Sequence, residues 1–250
     1  SAASDVYKRQ GLHTASSLNS LNTASGHGEG LKTWGQVFGQ TADQGTRNNI
    51  AGYDANTIGL AAGVDTENLR TAGVVGLSVS YGYTKVDSDN ATTTDTDVNS
   101  YQLTLYGDQD LGGNAHINGM IGYAYNNIDS TRNNVGGVPG LNADADYAAH
   151  EFTARAEIGR DYKHSGNQTI TPTLNAQWTH YRPENYTETG AGGANLSVKG
   201  KNLNIVKLGV GVENKWDIEN DDGSKLEPKI RAGYSYDVIG DAVETTSRFT

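Results

Sequence analysis

Apolar and polar side chains alternate with period two over long stretches of this chain, which commits those stretches to extended strands with two chemically different faces. Val75, Leu77, Val79, Tyr81 and Tyr83 interleave with Gly76, Ser78, Ser80, Gly82 and Thr84. One face is greasy and tipped with tyrosine; the other is small and hydroxylated. A soluble sandwich alternates too, but a membrane-spanning strand needs about 9–11 residues with aromatic girdles at the interfaces and a polar interior. This strand fits the second description.

Elsewhere the polar parity carries charge. Phe152, Ala154, Ala156 and Ile158 alternate with Glu151, Thr153, Arg155, Glu157 and Gly159. Val206 to Trp216 alternates with Lys207, Gly209, Gly211, Glu213 and Lys215, and Leu226 to Tyr236 with Glu227, Lys229, Arg231, Gly233 and Ser235. Ile58, Tyr101, Ile117 and Ile170 each begin weaker runs of the same kind. Unpaired charges in a dry core cost several kcal/mol each, whereas a wet barrel lumen solvates them. The expected lumen lining is Glu151, Arg155, Glu157, Lys207, Glu213, Glu227, Lys229 and Arg231. The expected lipid face is Val79, Tyr81, Leu105, Ile121, Ile158, Trp178, Val210, Trp216, Ile230 and Tyr234. The alternative is a soluble antiparallel sheet with its polar face in water.

Mean hydropathy is -0.59, and no run of about 18 apolar residues exists to form a transmembrane helix. Hydropathy is blind to barrels, because only every second residue faces lipid. Tyrosine, at 14 against 3 phenylalanines, suits an interface where the ring sits in lipid and the hydroxyl in water. Cysteine is absent, so there is no disulfide framework and no thiolate metal site. A net charge of -10 argues against nucleic acid as a partner. The 250 residues suit one barrel-sized domain.

Connections alternate in length. Short ones are Thr66–Thr71, Asp108–Asn114, Lys163–Asn167 and Ile218–Gly223, the last with the hairpin dipeptide Asp222-Gly223. Long ones, rich in Asn, Asp, Thr and Gly, are Thr41–Asp54, Lys85–Asp97, Asn127–Asp146 and Pro183–Lys201. Bacterial barrels have short periplasmic turns and longer extracellular loops, so the first strand, near Thr33–Gln40, rises outward. Its alternation is too poor to fix its facing. About nine complete strands are expected, with another starting at Val243–Phe249; closed single-chain barrels have even strand numbers, so C-terminal strands are expected to be missing. Ser1–Gln10 has no apolar signal-peptide core, and Ser4–Gln10 resembles a translated sequencing adapter, an expected non-native scar. Gly11–Gly30, with Leu12, Ala15, Leu18 and Leu21, reads as a helix or a linker.

Trp34-Gly35-Gln36-Val37-Phe38-Gly39-Gln40, then Ile58 to Asp65, and finally Ile230 to Asp237 followed by Gly240-Asp241-Ala242, resemble in order the translocator (β) domain of a classical autotransporter of type V secretion. The resemblance covers residues 31–250 and, more loosely, 11–30. It implies an all-β antiparallel transmembrane barrel of about twelve strands in the cell outer membrane of a Gram-negative bacterium, with a helix threading the lumen. It also implies three partners: outer-membrane lipid, the protein's own N-terminal passenger, and the barrel-assembly machinery. The family's terminal aromatic residue is not matched at Thr250.

Catalytic motifs are missing from the sequence: no HExxH, GxSxG, Walker-type loop or dinucleotide fingerprint occurs. The six histidines are scattered. Asp217, Glu219, Asp221 and Asp222 approximate a calcium loop, but Asp222 stands where the glycine is required. Asp95 and Asp97 read as a solvated loop. Some family members cut their passenger free at an asparagine of the lumenal helix; Asn19 and Asn22 lie in the region without a motif match. The expected function is passenger anchoring and translocation at the cell surface, with no catalytic residue, metal or cofactor. A small-solute porin and a soluble β-rich adhesin are the alternatives.

Overall fold

The computed structural model describes residues 21–25, 31–44, 52–68, 73–88, 93–219, 225–240 and 246–249. In chain order the strands are β1 (Leu21–Ser25), β2 (Leu31–Gln44), β3 (Tyr53–Asn68), β4 (Gly73–Ser88), β5 (Thr94–Gly112), β6 (Ala115–Arg132), β7 (Ala143–Arg160) and β8 (Tyr162–Ser165). There follow β9 (Gln168–Pro183), β10 (Tyr186–Thr187), β11 (Leu196–Lys199), β12 (Leu203–Trp216), β13 (Ile218–Glu219), β14 (Lys225–Leu226), β15 (Lys229–Gly240) and β16 (Thr246–Phe249). One sheet runs β1-β2-β3-β4-β5-β6-β7-β9-β12-β15, with β8 paired to β9. Every pairing along this path is antiparallel. The sheet curls into a half-barrel.

Its strands are longer than a bilayer requires. β5 has 19 residues and β6 has 18, against about 9–11 for a tilted crossing. Much of what reads as long loop is therefore ladder. Lys85–Ser88 and Thr94–Asp97 belong to β4 and β5, so Asp95 and Asp97 are strand residues and not a solvated loop. Asn127–Arg132 pair with Ala143–Ala148 across β6 and β7. Loop-like composition misleads here because the apolar residues have changed parity. In the lower strand the exposed side chain is Ile121 at 57%; seven residues on, and hence on the opposite face, Ile128 is 0% exposed.

The small sheet β10-β11-β16 extends the same wall. Tyr186↔Val198 lies five residues beyond Tyr181↔Leu203 on both chains, so β10 and β11 continue β9 and β12 past a short interruption. Leu196↔Phe249 lies nine residues beyond Ile205↔Gly240, so β16 continues β15 and is not the start of another meander strand.

Other expectations shift locally. Leu21–Ser25, inside the stretch read as helix or linker, is a strand on the edge of β2, with Asn22 opposite Gln36; its backbone groups gain ladder bonds there. The rest of 11–30, including Asn19, lies outside the described residues, as do Ser1–Gln10 and the Asp222-Gly223 turn. β13 and β14 pair antiparallel, with Ile218 opposite Leu226. Glu227 does not stand in a ladder. Pro228, lacking an N–H, interrupts the strand, and its carbonyl accepts the Trp216 N–H at 3.1 Å.

Candidate functional site

The register puts odd-numbered residues of β7, β9, β12 and β15 on one face. Glu151, Thr153, Glu157, Thr171, Thr173, Gln177 and Thr179 are buried on it. Glu157, 4% exposed, is the centre of its charge. Arg155 Nη2 lies 3.3 Å from Glu157 Oε2, and Arg231 Nη2 donates to Oε1 at 2.8 Å. Arg231 Nε also lies 3.5 Å from Glu213 Oε2. Lys207 Nζ stands 3.8 Å from Asp237, and Thr153 Oγ1 donates to Glu151 at 3.0 Å. Lys229 is opposite Lys215, whose ammonium is 2.9 Å from Asp217. Seven of the eight expected lumen residues share one face, Glu227 being the exception.

The face of β2, open from sequence, is settled by its partners. Trp34 is opposite Gly63 and Phe38 opposite Gly59, so the aromatic rings point to the polar side while Val37 is exposed on the other. Each ring lies on a glycine: a Cβ on Gly63 would come within 2.6 Å of the Trp34 ring, and one on Gly59 within 2.2 Å of Phe38. Tyr106 of β5 lies across Gly76 of β4 in the same way and reaches Asp65 of β3. Its hydroxyl accepts from Trp34 Nε1 at 2.6 Å and donates to Asp65 at 2.9 Å. Four strands are joined through one phenol. The signal missed in the sequence is the glycine that faces each ring.

On the opposite face Val79, Tyr81, Leu105, Ile121, Ile158, Trp178, Val210, Ile230 and Tyr234 are exposed, and Trp216 is half-buried on the same parity. Aromatic rings gather toward one end. Tyr81 and Tyr101 pack at 5.3 Å and Tyr123 and Phe152 at 5.0 Å, and the Tyr123 hydroxyl bonds His150 Nδ1 at 2.8 Å. Beyond the rings the outward face turns acidic. Lys85, Asp97, Asp129 and Asp146 are successive register partners, with Tyr83 donating to Asp97 at 2.6 Å. A hydrogen bond to Asp146 holds the Asp129 carboxyl above its ordinary range, helped by partial burial and by repulsion from Asp146 and Asp97.

Beyond those same rings the inward face turns apolar. Tyr53 and Val86 form one buried cluster; Val98, Ile128, Tyr147, Tyr181 and Leu203 form another, against which Tyr186 stacks at 4.3 Å from Tyr147. Above them Arg132 Nε donates to Glu188 Oε1 at 3.1 Å, its Nη2 binds Oε2, and Val135, Ala143 and Ala191 pack together. Among the described residues no group of three or more His, Asp or Glu is placed to hold a metal ion.

The family profile described as autotransporter β-domain matches residues 33–250. Outer membrane protein B of Rickettsia rickettsii is 27% identical over 225 residues, 86% of this chain and 13% of that protein. An extracellular serine protease of Serratia marcescens is 28% identical over 188 residues, 75% of this chain and 18% of that protein. The chain thus spans a small fraction of the length of the curated relatives it matches. Among solved structures, the translocator domain of autotransporter NalP from Neisseria meningitidis superposes with a TM-score of 0.74 at 14% identity, covering 98% of this chain and 80% of that one. The β domain of the Bordetella autotransporter BrkA gives 0.62 at 16% identity, over 87% and 80%. Both share the fold.

Proposed function

The chain belongs to the autotransporter β-domain family, and from that premise we propose how its two faces divide the work of an outer-membrane anchor and translocator. The exposed apolar face, with Val79, Leu105, Ile121, Ile158, Val210 and Ile230, is the lipid face, and the tyrosine-rich end of it marks the outer interface. The polar face, with Glu151, Arg155, Glu157, Lys207, Glu213, Lys229 and Arg231, lines a hydrated lumen. Its charges are of both signs and pair locally, so the wall neither repels nor strongly grips a passing chain. Ion pairs that stay in contact with water contribute about 0–1 kcal/mol each. Their value lies in solvation of the lumen more than in stability.

The domain's partners are outer-membrane lipid, a passenger N-terminal to it joined through residues 11–30, and the machinery that assembles barrels. It acts without a catalytic residue, metal or cofactor; any enzymatic activity belongs to the passenger. The observation that carries this reading is the family match over 33–250 combined with the opposed apolar and charged faces of one curled sheet. In intact cells making the full-length protein, an epitope in the passenger and a tag after Asn134 should both be reached by antibody. A tag at Gly166 should be reached only after permeabilisation. Passenger display that survives removal of residues 31–250 overturns the anchor role, and reversed tag labelling overturns the orientation.

A further inference from the structure

We propose that the outer end of the lipid face on β7 and β9 is a binding site for a phosphorylated lipid of the outer leaflet, an inference that rests on the lipid face and orientation assigned above. Even-numbered residues of both strands point outward. On β7 they are apolar from Ile158 to Phe152, with Arg160 below and His150 above; on β9 they are apolar from Leu174 to Trp178, followed by His180 and Arg182. From Arg160 to His150 the strand covers about 33 Å, which a tilt of about 45° turns into about 23 Å of height. An outward apolar band is about 25 Å tall. His150 and its register partner Arg182 therefore stand where the apolar band ends and lipid head groups begin.

Arg182 is exposed, and among the described residues its guanidinium has no hydrogen-bond or ion-pair partner. Two imidazoles flank it. His150 Nδ1 is 2.8 Å from the Tyr123 hydroxyl with its Nε2 3.8 Å from Glu184, and His180 Nδ1 is 2.9 Å from Asn204 Oδ1. Glu184 is the carboxylate that competes with an arriving anion. The row of Asp97, Asp129 and Asp146 does not: Asp146 is four residues above His150 on β7, about 13 Å, which exceeds the Debye length at physiological salt. A free planar guanidinium at that spot matches a phosphate in charge and in fork geometry. Directly below it, Leu105, Ile121, Ala154, Ala176, Trp178 and Val206 line an open apolar groove of about 600 Å³. From Ala176 in the groove to Arg182 is about 20 Å along β9. Groove, aromatic ring and cation follow one another in the order of an amphiphile's tail, interface and head.

The full-length protein folded in an uncharged detergent provides the test. It is first inserted into phosphatidylcholine vesicles; failure to insert overturns the lipid face, and this site with it. Native mass spectrometry with diphosphoryl lipid A as the probe should then show one molecule retained per barrel, bound at least about tenfold more tightly than phosphatidylcholine. Arg182→Gln should lose about tenfold in affinity, the order of one charge-assisted contact. Arg160→Gln removes an exposed outward arginine at the opposite interface and should bind lipid A as the parent does. Inorganic phosphate alone should not be retained, because it has no tail for the groove. Insertion without preference for lipid A overturns this site and leaves the lipid face standing. Unchanged affinity in Arg182→Gln overturns it too, as do equal losses in Arg182→Gln and Arg160→Gln, which would show a general attraction of anions to exposed arginines. Phosphate retained as well as lipid A overturns a lipid site. Reversed tag labelling in cells puts the patch in the inner leaflet and overturns the assignment to an outer-leaflet lipid.

Discussion

Arg231 on β15 and Glu157 on β7 form a 2.8 Å hydrogen bond although two strands, β9 and β12, lie between them. In register, Glu157 leads through Asn175 and Gly209 to Ser235, four residues from Arg231 along β15. On a flat sheet that separates their backbones by about 14 Å across the strands and about 13 Å along them. The bond is reached because the sheet curls toward this face. Curvature and charge placement are thus one feature: the acid on β7 has Arg155 beside it on its own strand and gains Arg231 through the bend.

Because Glu157 is buried and receives two guanidinium groups while Arg231 is half exposed, removing the acid should cost more than removing the arginine. Glu157→Gln should lower unfolding free energy by about 1.5–3 kcal/mol, the range for hydrogen bonds to charged groups. Arg231→Ala should cost at most about 1 kcal/mol, since a solvated pair contributes little. Urea unfolding of the refolded barrel in detergent gives both values, and the opposite ranking would mean that Glu157 is not the centre of the cluster.

Facing can be tested on two adjacent strands. Val210 is exposed on the apolar face and Asn175, on β9, is on the polar one. An arginine at Val210 should cost about 2–4 kcal/mol near the bilayer midplane, and an arginine at Asn175 much less than half of that. Gly209 is the poorer comparison site, because a Cβ there would come within 2.6 Å of Asn175 Oδ1 and add a steric cost of its own. Equal destabilisation at Val210 and Asn175, measured by folding into lipid vesicles, would remove the case for two solvents.

Two glycines on β4 separate packing from strand propensity. A Cβ on Gly76 would meet Tyr106 Cζ at 2.2 Å, whereas the nearest atom to one on Gly82 is Phe38 Cζ at 3.9 Å. Gly76→Ala should therefore displace the phenol from Trp34 and Asp65 and cost about 1–3 kcal/mol, as overpacking does. Gly82→Ala should be near neutral. Matching losses for the two variants would show that the ring can move aside without consequence.

The two-faced part of the strands was legible because a period-two code puts Val79, Ile158 and Val210 on one exposed apolar face. The strand ends were not legible. Above the aromatic rings the apolar residues pass to the other parity, so Val86, Val98 and Tyr147 sit among Asp and Asn and imitate loop composition. The face of β2 was hidden for a different reason. Trp34 and Phe38 are inward aromatics whose burial depends on glycines of β3, a tertiary relationship that a single strand cannot display. The pairing of Glu157 with Arg231 was likewise out of reach, since parity gives the face of a charge but not the curl that brings it a partner.

Asp129 lies outward beyond the aromatic rings, clear of the membrane-spanning part of β6, and its carboxyl is raised above the ordinary 3.8 chiefly by its hydrogen bond to Asp146. A carboxyl raised in the folded state binds its proton more tightly folded than unfolded. Its stabilising contribution is therefore fully present below about pH 3.8 and is lost as pH rises through the folded value. Asp129→Asn stays neutral throughout and keeps a hydrogen-bonding amide beside Asp146. The variant should be more heat-resistant than the parent at pH 7, with the gain shrinking as the pH is lowered and vanishing once both carboxyls of the parent pair are protonated. Thermal unfolding of the two proteins in detergent across that pH range reads the difference directly. A gain that is the same at every pH would assign it to packing and not to the shared proton.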